Sequence, residues 1–280
     1  FTARKINGTE NIANVAYAHL TWAESKDLIG SVNYDAATGK VSFTYKGGNV
    51  EGNAAIAVFS AAGAQLWTWH IWLTDKPADI LSGNYTMQDR FLGATLAPTI
   101  GASSVTFSSN EERLSTYGFY YQWGRKDPII GPPSITAGTE SVSGNTSASS
   151  RWWIKSFDTG EWSSRTTIDI AASAAIPEVT RNPMTFYRSA TAAGRTSSQW
   201  FPESFTDGYT NVAMWGYAVE DYSIQGQTFS KTMHDPCPPG YRTPFHFAWR
   251  YNGTYKYAEG DAGAATTSLG VELTYDSARL

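Results

Sequence analysis

The sequence predicts a mainly β fold with some α+β character, in which a small antiparallel β module precedes a longer, loop-rich one. Three observations predict this class. Apolar side chains recur at every second position through much of the first 75 residues. Segments with helical periodicity are rare, and Ser, Thr, Gly and aromatic residues outnumber Lys and Glu. Aromatic residues make up 14% of the 280, which is enough to bury a full core and excludes wholesale disorder.

The first expected element is a β-hairpin. Residues 28–34 and 40–45 are the two strands, and Val41, Phe43 and Tyr45 fall on one face of the second. The loop at 35–39 contains a glycine and is short enough to join them directly.

A second pair of strands follows the hairpin. Residues 54–60 and 65–74 flank a small turn at 61–64. The later strand has apolar side chains on both faces, so we expect it to be covered on both sides. The four strands in meander order predict an antiparallel, β-sandwich-like (Ig-like) module over residues 1–78.

A polar, proline-bearing segment at 75–79 marks the expected domain boundary. The second module, residues 79–280, is irregular in pattern. Its stretch 134–150 is almost entirely Ser, Thr, Gly and Ala and predicts an exposed low-complexity loop. Residues 166–176 are the best candidate for a short helix, which Pro177 would end.

Charge and cysteine content exclude several classes of protein. With 21 basic and 25 acidic residues the net charge is −4, which disfavours a nucleic-acid binder. No apolar window is long enough for a transmembrane helix. Because the chain starts at Phe1 without a signal segment, we expect a processed or truncated product. The single cysteine, Cys237, excludes an internal disulfide.

The sequence supplies no catalytic motif, so we assign no catalytic residue, no metal ligand and no cofactor. His70 lies between tryptophans and is expected to be a core histidine with one ring nitrogen satisfied. His234 and Cys237 are close enough to suggest a nucleophile pair. However, three prolines in residues 235–239 favour a structural turn.

Acidic pairs and aromatic residues are the other candidates for a site. The pairs 111–112 and 220–221 are interpreted as solvated loop charges. A calcium site built from scattered oxygens stays open. Most tryptophans are expected to be framework, as is the turn at 235–244; the framework tryptophans are Trp67, Trp69, Trp72 and Trp123. For ligand contact, by stacking on a sugar ring, we nominate Trp200, Tyr209 and Trp215.

Four stretches together resemble one family of surface proteins. They are residues 66–75, 120–128, 231–244 and 89–94, the last with Phe91 where the family has Asn. Their order and spacing are similar to the fimbrillin-like surface proteins and lipoproteins of gut Bacteroidetes. In those proteins the C-terminal half belongs to the group named for major paralogous proteins of Fibrobacter. Residues 237–244 also resemble the core turn of C-type-lectin-like and formylglycine-generating-enzyme-like folds.

The resemblance covers about residues 28–250 and implies a C-type-lectin-like fold for the second module, with export to a bacterial outer membrane. Two features depart from the family. The family usually carries a second cysteine on a final strand, which could pair with the one matching Cys237, and nothing after residue 240 supplies it. The lipobox cysteine is also missing, so we expect a chain trimmed at both ends or a divergent C-terminus. The catalytic cysteines of the formylglycine enzymes have no counterparts, and that activity is not carried over.

These observations favour a non-catalytic cell-surface binding or adhesion protein that contacts a glycan or a protein ligand. One alternative is a structural or tip subunit of a fimbria, which would accept a donated strand at an open sheet edge. Another is an accessory surface lipoprotein of a TonB-dependent nutrient importer. A hydrolase is the enzyme alternative and requires two carboxylates about 5–10 Å apart in a cleft.

A possible modification lies near the C-terminus. Asp276, Ser277 and Ala278 fit the short pattern that Bacteroides uses to O-glycosylate exported proteins. An intact mass without added hexose would contradict this hypothesis.

Overall fold

The structure, a computed structural model, describes the N-terminal third of the chain almost completely and shorter parts of the rest. It describes residues 1–5, 10–24, 28–45, 47–48, 50–82, 85–97, 108–109, 112, 115–116, 118–119, 121, 124–128, 214–216 and 230–243. Beyond these it describes the backbone of seven short strands between residues 153 and 274.

Strands form nearly all the regular structure of the described residues. The first seven are β1 (Tyr17–Ala23), β2 (Ile29–Asp35), β3 (Lys40–Tyr45), β4 (Gly52–Phe59), β5 (Gln65–Leu73), β6 (Asp79–Ser82) and β7 (Tyr85–Gln88). The later seven are β8 (Trp153–Lys155), β9 (Trp162–Ser164), β10 (Thr167–Ile170), β11 (Phe186–Ala190), β12 (Thr196–Ser197), β13 (Ala264–Thr266) and β14 (Glu272–Thr274). All the pairs except β10 with β11 are antiparallel, which confirms the mainly β class for the described part of the chain.

The β2–β3 hairpin forms as the sequence predicts. Tyr34 pairs with Val41, β3 begins at Lys40 as expected, and β2 extends one residue beyond the prediction, to Asp35. The Asp35 carboxylate accepts hydrogen bonds from the Ala37 backbone N–H at 2.9 Å and the Thr38 hydroxyl at 2.5 Å. Gly39 closes the loop with φ of 66°, a conformation that favours glycine.

The main sheet has the strand order β1–β4–β5, with β4 in the centre. On its core face, Val58 of β4 lies between Ala18 of β1 and Trp67 of β5. Ile56 likewise lies between Leu20 and Trp69. The central strand is buried almost throughout because its side chains are small or β-branched and are covered on both faces.

One hydrophobic cluster joins the main sheet to the β2–β3 hairpin. Its larger buried members come from both units and are Leu20, Leu28, Ile29, Val41, Ile56, Val58 and Trp67. Phe43 and Tyr34 pack against it from the hairpin. The hairpin therefore covers the core face of the sheet and shields its apolar side chains from water.

The predicted meander order is wrong. Strand β4 pairs with β5, as the meander requires, but β3 pairs only with β2 among the described strands. The other neighbour of β4 is β1, a strand that the sequence did not predict. The register of β1 shifts between Leu20 and Trp22, where a bulge interrupts the alternation of side chains. Because the bulge breaks the period of two, periodicity alone does not detect this strand.

The predicted helix at 166–176 is also wrong where the structure describes it. Thr167–Ile170 is strand β10, paired in parallel with β11. Thr and Ile are β-branched and favour extended backbone, and their alternation with Asp169 suits a strand. The low-complexity segment 134–150 lies outside the described residues.

Candidate functional site

Polar side chains gather on the face of the main sheet opposite the hairpin. This second face presents Asn53 opposite Trp72 and Ala57 opposite Thr68 on strands β4 and β5. Segments from beyond residue 90 contact it, so the strand β5 is covered on both sides, as its sequence predicts. The boundary at 75–79 stays a prediction, and these contacts cross it.

His70 forms the centre of one hydrogen-bonded group on the second face. Its Nε2 lies 2.8 Å from Oδ1 of Asn53, whose Nδ2 donates to the Gly93 carbonyl at 2.8 Å. The backbone N–H of Asn53 donates to Glu24 at 2.8 Å. Burial lowers the pKa of His70 to about 4, and the negative charge of Asp127 opposes that shift only in part. The expectation of a satisfied ring nitrogen is confirmed, and by its surface exposure His70 is partly buried.

A hydroxyl, an ammonium and a carboxylate meet beside His70. The Thr68 hydroxyl donates to Asp127 Oδ1 at 2.5 Å, and Lys126 Nζ lies 2.6 Å from the same oxygen. Lys126 also donates to the Thr68 carbonyl at 3.2 Å and to the Thr68 hydroxyl, so three acceptors face its three hydrogens. Its Nζ lies 4.5 Å from the ring centroid of Trp67.

The chemistry of this Thr68–Lys126–Asp127 group is limited by its burial. Burial lowers the pKa of Lys126, and the Asp127 carboxylate opposes the shift. A hydroxyl between an amine and a carboxylate is a pattern that some nucleophilic enzymes use. Here Thr68 is buried and hydrogen-bonded to both partners, so the group as placed ties β5 to residues 126–127.

The turn at 235–243 is organised by one buried carboxylate. Asp235 accepts from Lys231 Nζ at 2.6 Å and from the backbone N–H groups of Cys237 and Thr243 at 2.8 and 3.0 Å. These bonds confirm the structural interpretation of the turn. Burial, and then the charge of Asp235, raise the pKa of the Cys237 thiol, the opposite of what a thiolate nucleophile needs.

His234 lies beside the same turn and faces the main sheet. Its ring centroid is 6.1 Å from that of Trp67. Burial lowers the pKa of His234 to about 4, and the positive charge of Lys126 adds to the shift. His234 is therefore neutral near pH 7 and packs as an aromatic side chain.

The motif at 89–94 closes the second face at the end of β5. Arg90 is buried and bonds Asp75 at 2.6 Å, Asp89 at 2.9 Å and the Thr95 carbonyl at 3.0 Å. The Ala94 carbonyl of this motif accepts a 3.0 Å hydrogen bond from the Trp72 indole. The hydrogen bonds of this motif therefore hold residues 89–95 against the end of β5.

Of the three nominated ligand residues, the described part of the chain includes only Trp215. Trp215 is 0% exposed, and its indole N–H donates to the Arg125 carbonyl at 3.1 Å. A fully buried indole has no face to offer a ligand, so Trp215 is a framework residue. Trp200 and Tyr209 lie outside the described residues.

Some of the other predicted positions are described by the structure, and the rest lie outside the described residues. Trp67 is buried, and Trp69 and Trp72 are partly buried, as expected of framework residues. Glu112 accepts a hydrogen bond from the Ser108 backbone. The remaining predicted residues lie outside the described part of the chain and are Glu111, Trp123, Glu220, Asp221, Asp276, Ser277 and Ala278.

An aromatic pair with one exposed ring lies at one end of the second face. The rings of Tyr17 and Phe59 stack with centroids 5.1 Å apart and planes 8° apart, and Tyr17 is 42% exposed. His19, two positions along β1, is also exposed on this face. Sequence reasoning missed the pair because Tyr17 belongs to the unpredicted strand β1. The aromatic content of the chain was the only signal that could have pointed to it.

Comparisons with known proteins add no relative. No protein-family model, no curated protein and no solved structure matches the chain. Within the described residues, no His, Cys, Asp and Glu side chains group in threes or more to hold a metal ion. The same residues contain no helix long and apolar enough to cross a membrane.

Proposed function

We propose that this chain is a non-catalytic binding or adhesion protein of a bacterial cell surface, which contacts a glycan or a protein ligand. The observation that carries the proposal is how its polar and aromatic groups are distributed. The side chains of Arg90, Lys126, Asp127 and Asp235 are at most 9% exposed and bind neighbouring charged groups or backbone atoms. The Tyr17 ring, in contrast, is 42% exposed and stacks on the partly buried ring of Phe59. Binding sites that act passively rely on such exposed aromatic anchors.

The wider context of the proposal comes from the resemblance of four sequence stretches to fimbrillin-like surface proteins of Bacteroidetes. On this basis we propose an exported protein of the outer membrane, with a sandwich-like module over 1–78 and a lectin-like module over 79–280. The hairpin packed on the main sheet supports a layered β arrangement for the first module.

A binding experiment tests the proposal directly. The purified chain is applied to an array of neutral and acidic glycans, and its tagged form is used to recover partners from gently solubilised native envelopes. We expect saturable binding to at least one glycan class or recovery of one stoichiometric surface protein. Negative results in both experiments would contradict the proposal.

The partners recovered also separate the proposed roles. A TonB-dependent channel would identify a nutrient-capture accessory protein. A ladder of fimbrillin-like subunits would identify a fimbrial component. Saturable glycan binding with neither partner would identify a free-standing adhesin. Turnover of a bound glycan would contradict the non-catalytic role.

A further inference from the structure

We propose that the Tyr17–Phe59 stack is a subsite for the C–H face of a neutral sugar ring. This inference rests on the proposed binding function and names the ligand class and the residues. The two aromatic side chains face each other directly across β1 and β4, where Tyr17 pairs with Phe59. Neither residue takes part in the hydrophobic cluster beneath the hairpin or in the contacts between His70, Thr68 and later segments.

The stack presents one flat, positioned surface. The rings are nearly parallel, so Phe59 covers one face of Tyr17 and leaves Tyr17 42% exposed. Both residues lie on paired strands, which hold their backbones in place. A ring that is already held loses little conformational freedom when a ligand covers it, which favours binding. Aromatic side chains also carry one apolar body and, in Tyr, one polar tip, which suits an amphipathic ligand such as a sugar.

The strands that carry the stack have no charged side chain of their own, which favours a neutral ligand. Residues 11–23 and 52–74, which include all of β1, β4 and β5, contain no Asp, Glu, Lys or Arg. An anionic sugar or an acidic peptide would find no compensating cation on these strands. His19, exposed on the same face, can both donate and accept hydrogen bonds with sugar hydroxyls when its ring is neutral. A few polar groups around an apolar platform are typical of small-ligand sites.

The turn after β4 leaves space beside Tyr17. Residues 61–64 are Ala, Ala, Gly and Ala, so no long side chain of this turn stands next to the stack. A Cβ atom built on Gly63 would lie 3.9 Å from the Tyr17 hydroxyl, which places the turn at the rim of the ring. Gly63 has φ of 78°, which favours glycine and keeps this rim free of a side chain.

The test compares matched aromatic variants on immobilised neutral glycans. The probes are mannan, galactan and xylan, with sialylated and sulfated glycans as anionic counterparts. Tyr17→Ala and Tyr17→Leu should each weaken binding of the best neutral probe by about tenfold, the size expected for one stacking contact. Tyr17→Phe, which keeps the ring, should weaken it far less. Tyr45→Ala is the control, because Tyr45 is 52% exposed but lies on β3 of the hairpin, away from the stack.

Each outcome bears on either the subsite or the function. Circular dichroism and melting curves first select the Tyr17 variants that keep the native fold; the exposure of Tyr17 predicts that they do. If neutral glycan binding persists undiminished in Tyr17→Leu, the subsite is wrong while the binding function stands. Binding of anionic probes alone overturns the ligand class. Recovery of a protein partner without glycan binding overturns this inference and supports the proposed function.

Discussion

On one face of the main sheet, Ala, Ile, Val and Trp side chains pack against the β2–β3 hairpin. On the other face, Asn53, Thr68 and His70 form hydrogen bonds with one another or with later residues. The first face depends on alternation within each strand, which the sequence displays directly. The second depends on partners far along the chain: Thr68 and Asp127 are 59 residues apart. One sheet therefore combines locally encoded burial with polar contacts that only the tertiary structure reveals.

The largest expected effect lies on the core face. Trp67→Ala removes a side chain that is 4% exposed and should lower the free energy of unfolding by about 3–5 kcal/mol. Trp69→Ala is the matched control, because Trp69 lies on the same face but is only partly buried. In chemical denaturation, Trp69→Ala should lower the free energy of unfolding clearly less than Trp67→Ala does. Equal losses in the two variants would contradict the placement of the core beneath Trp67.

The next largest effect concerns the Thr68–Lys126–Asp127 group, which we expect to stabilise the second face. Asp127→Ala leaves the Lys126 ammonium and the Thr68 hydroxyl without their shared acceptor and should destabilise the fold by about 3 kcal/mol. Asp75→Ala is the control, since Asp75 also lies 2.6 Å from a cation, Arg90, but has a side chain that is 69% exposed. That variant should cost less than about 1 kcal/mol.

The coupling within this group can be measured separately. In a double-mutant cycle, Lys126→Met should recover part of the stability lost in Asp127→Ala, because it removes the stranded charge. Strictly additive losses would show that the two side chains do not interact as placed.

The second face should respond to acid through His70. His70 has a pKa of about 4 in the folded state, below its ordinary value of 6.5, so folding favours its neutral form. Its contribution is complete above about pH 6.5 and is lost as the pH falls towards 4, by up to about 3 kcal/mol. His70→Gln cannot take up this proton, so the variant should lose less stability than the native chain between pH 7 and pH 4. Parallel curves for the two proteins would contradict the burial of His70.

The sequence was sufficient where structure follows from neighbouring residues. The hairpin was predicted because 28–45 combine alternation with a turn containing Asp35 and Gly39. The contacts on both faces of β5 followed from its apolar residues, and the hydrogen-bonded role of His70 followed from its tryptophan neighbours.

The sequence was insufficient where a bulge or a distant partner decides the structure. The shift at Leu20 and Trp22 hides β1, and with it the exposed ring of Tyr17. Trp215 lies among turn-forming residues in the sequence, yet a partner 90 residues away, the Arg125 carbonyl, holds it in the interior. No local pattern distinguishes such a buried tryptophan from an exposed one.

The smallest effect on stability concerns Arg90, whose hydrogen bonds hold residues 89–95 against the end of β5. Arg90→Lys keeps the positive charge, but one ammonium cannot reproduce the guanidinium bonds to Asp75, Asp89 and the Thr95 carbonyl. The expected loss is about 1–2 kcal/mol. Phe91→Asn, at the neighbouring position where Phe91 is 44% exposed, is the control and should change stability by less than about 0.5 kcal/mol.

The place where Arg90→Lys raises the rate of local opening is more informative than the loss of stability. Residues 93–94 accept hydrogen bonds from Asn53 and from the Trp72 indole, so Arg90→Lys should speed hydrogen exchange at that indole N–H. Exchange in the β2–β3 hairpin, on the opposite side of the sheet, should stay unchanged. Equal acceleration of exchange at the Trp72 indole and in the hairpin would show that the two faces of the sheet open together. The core face and the hydrogen-bonded second face would then differ in their contacts but not in their dynamics.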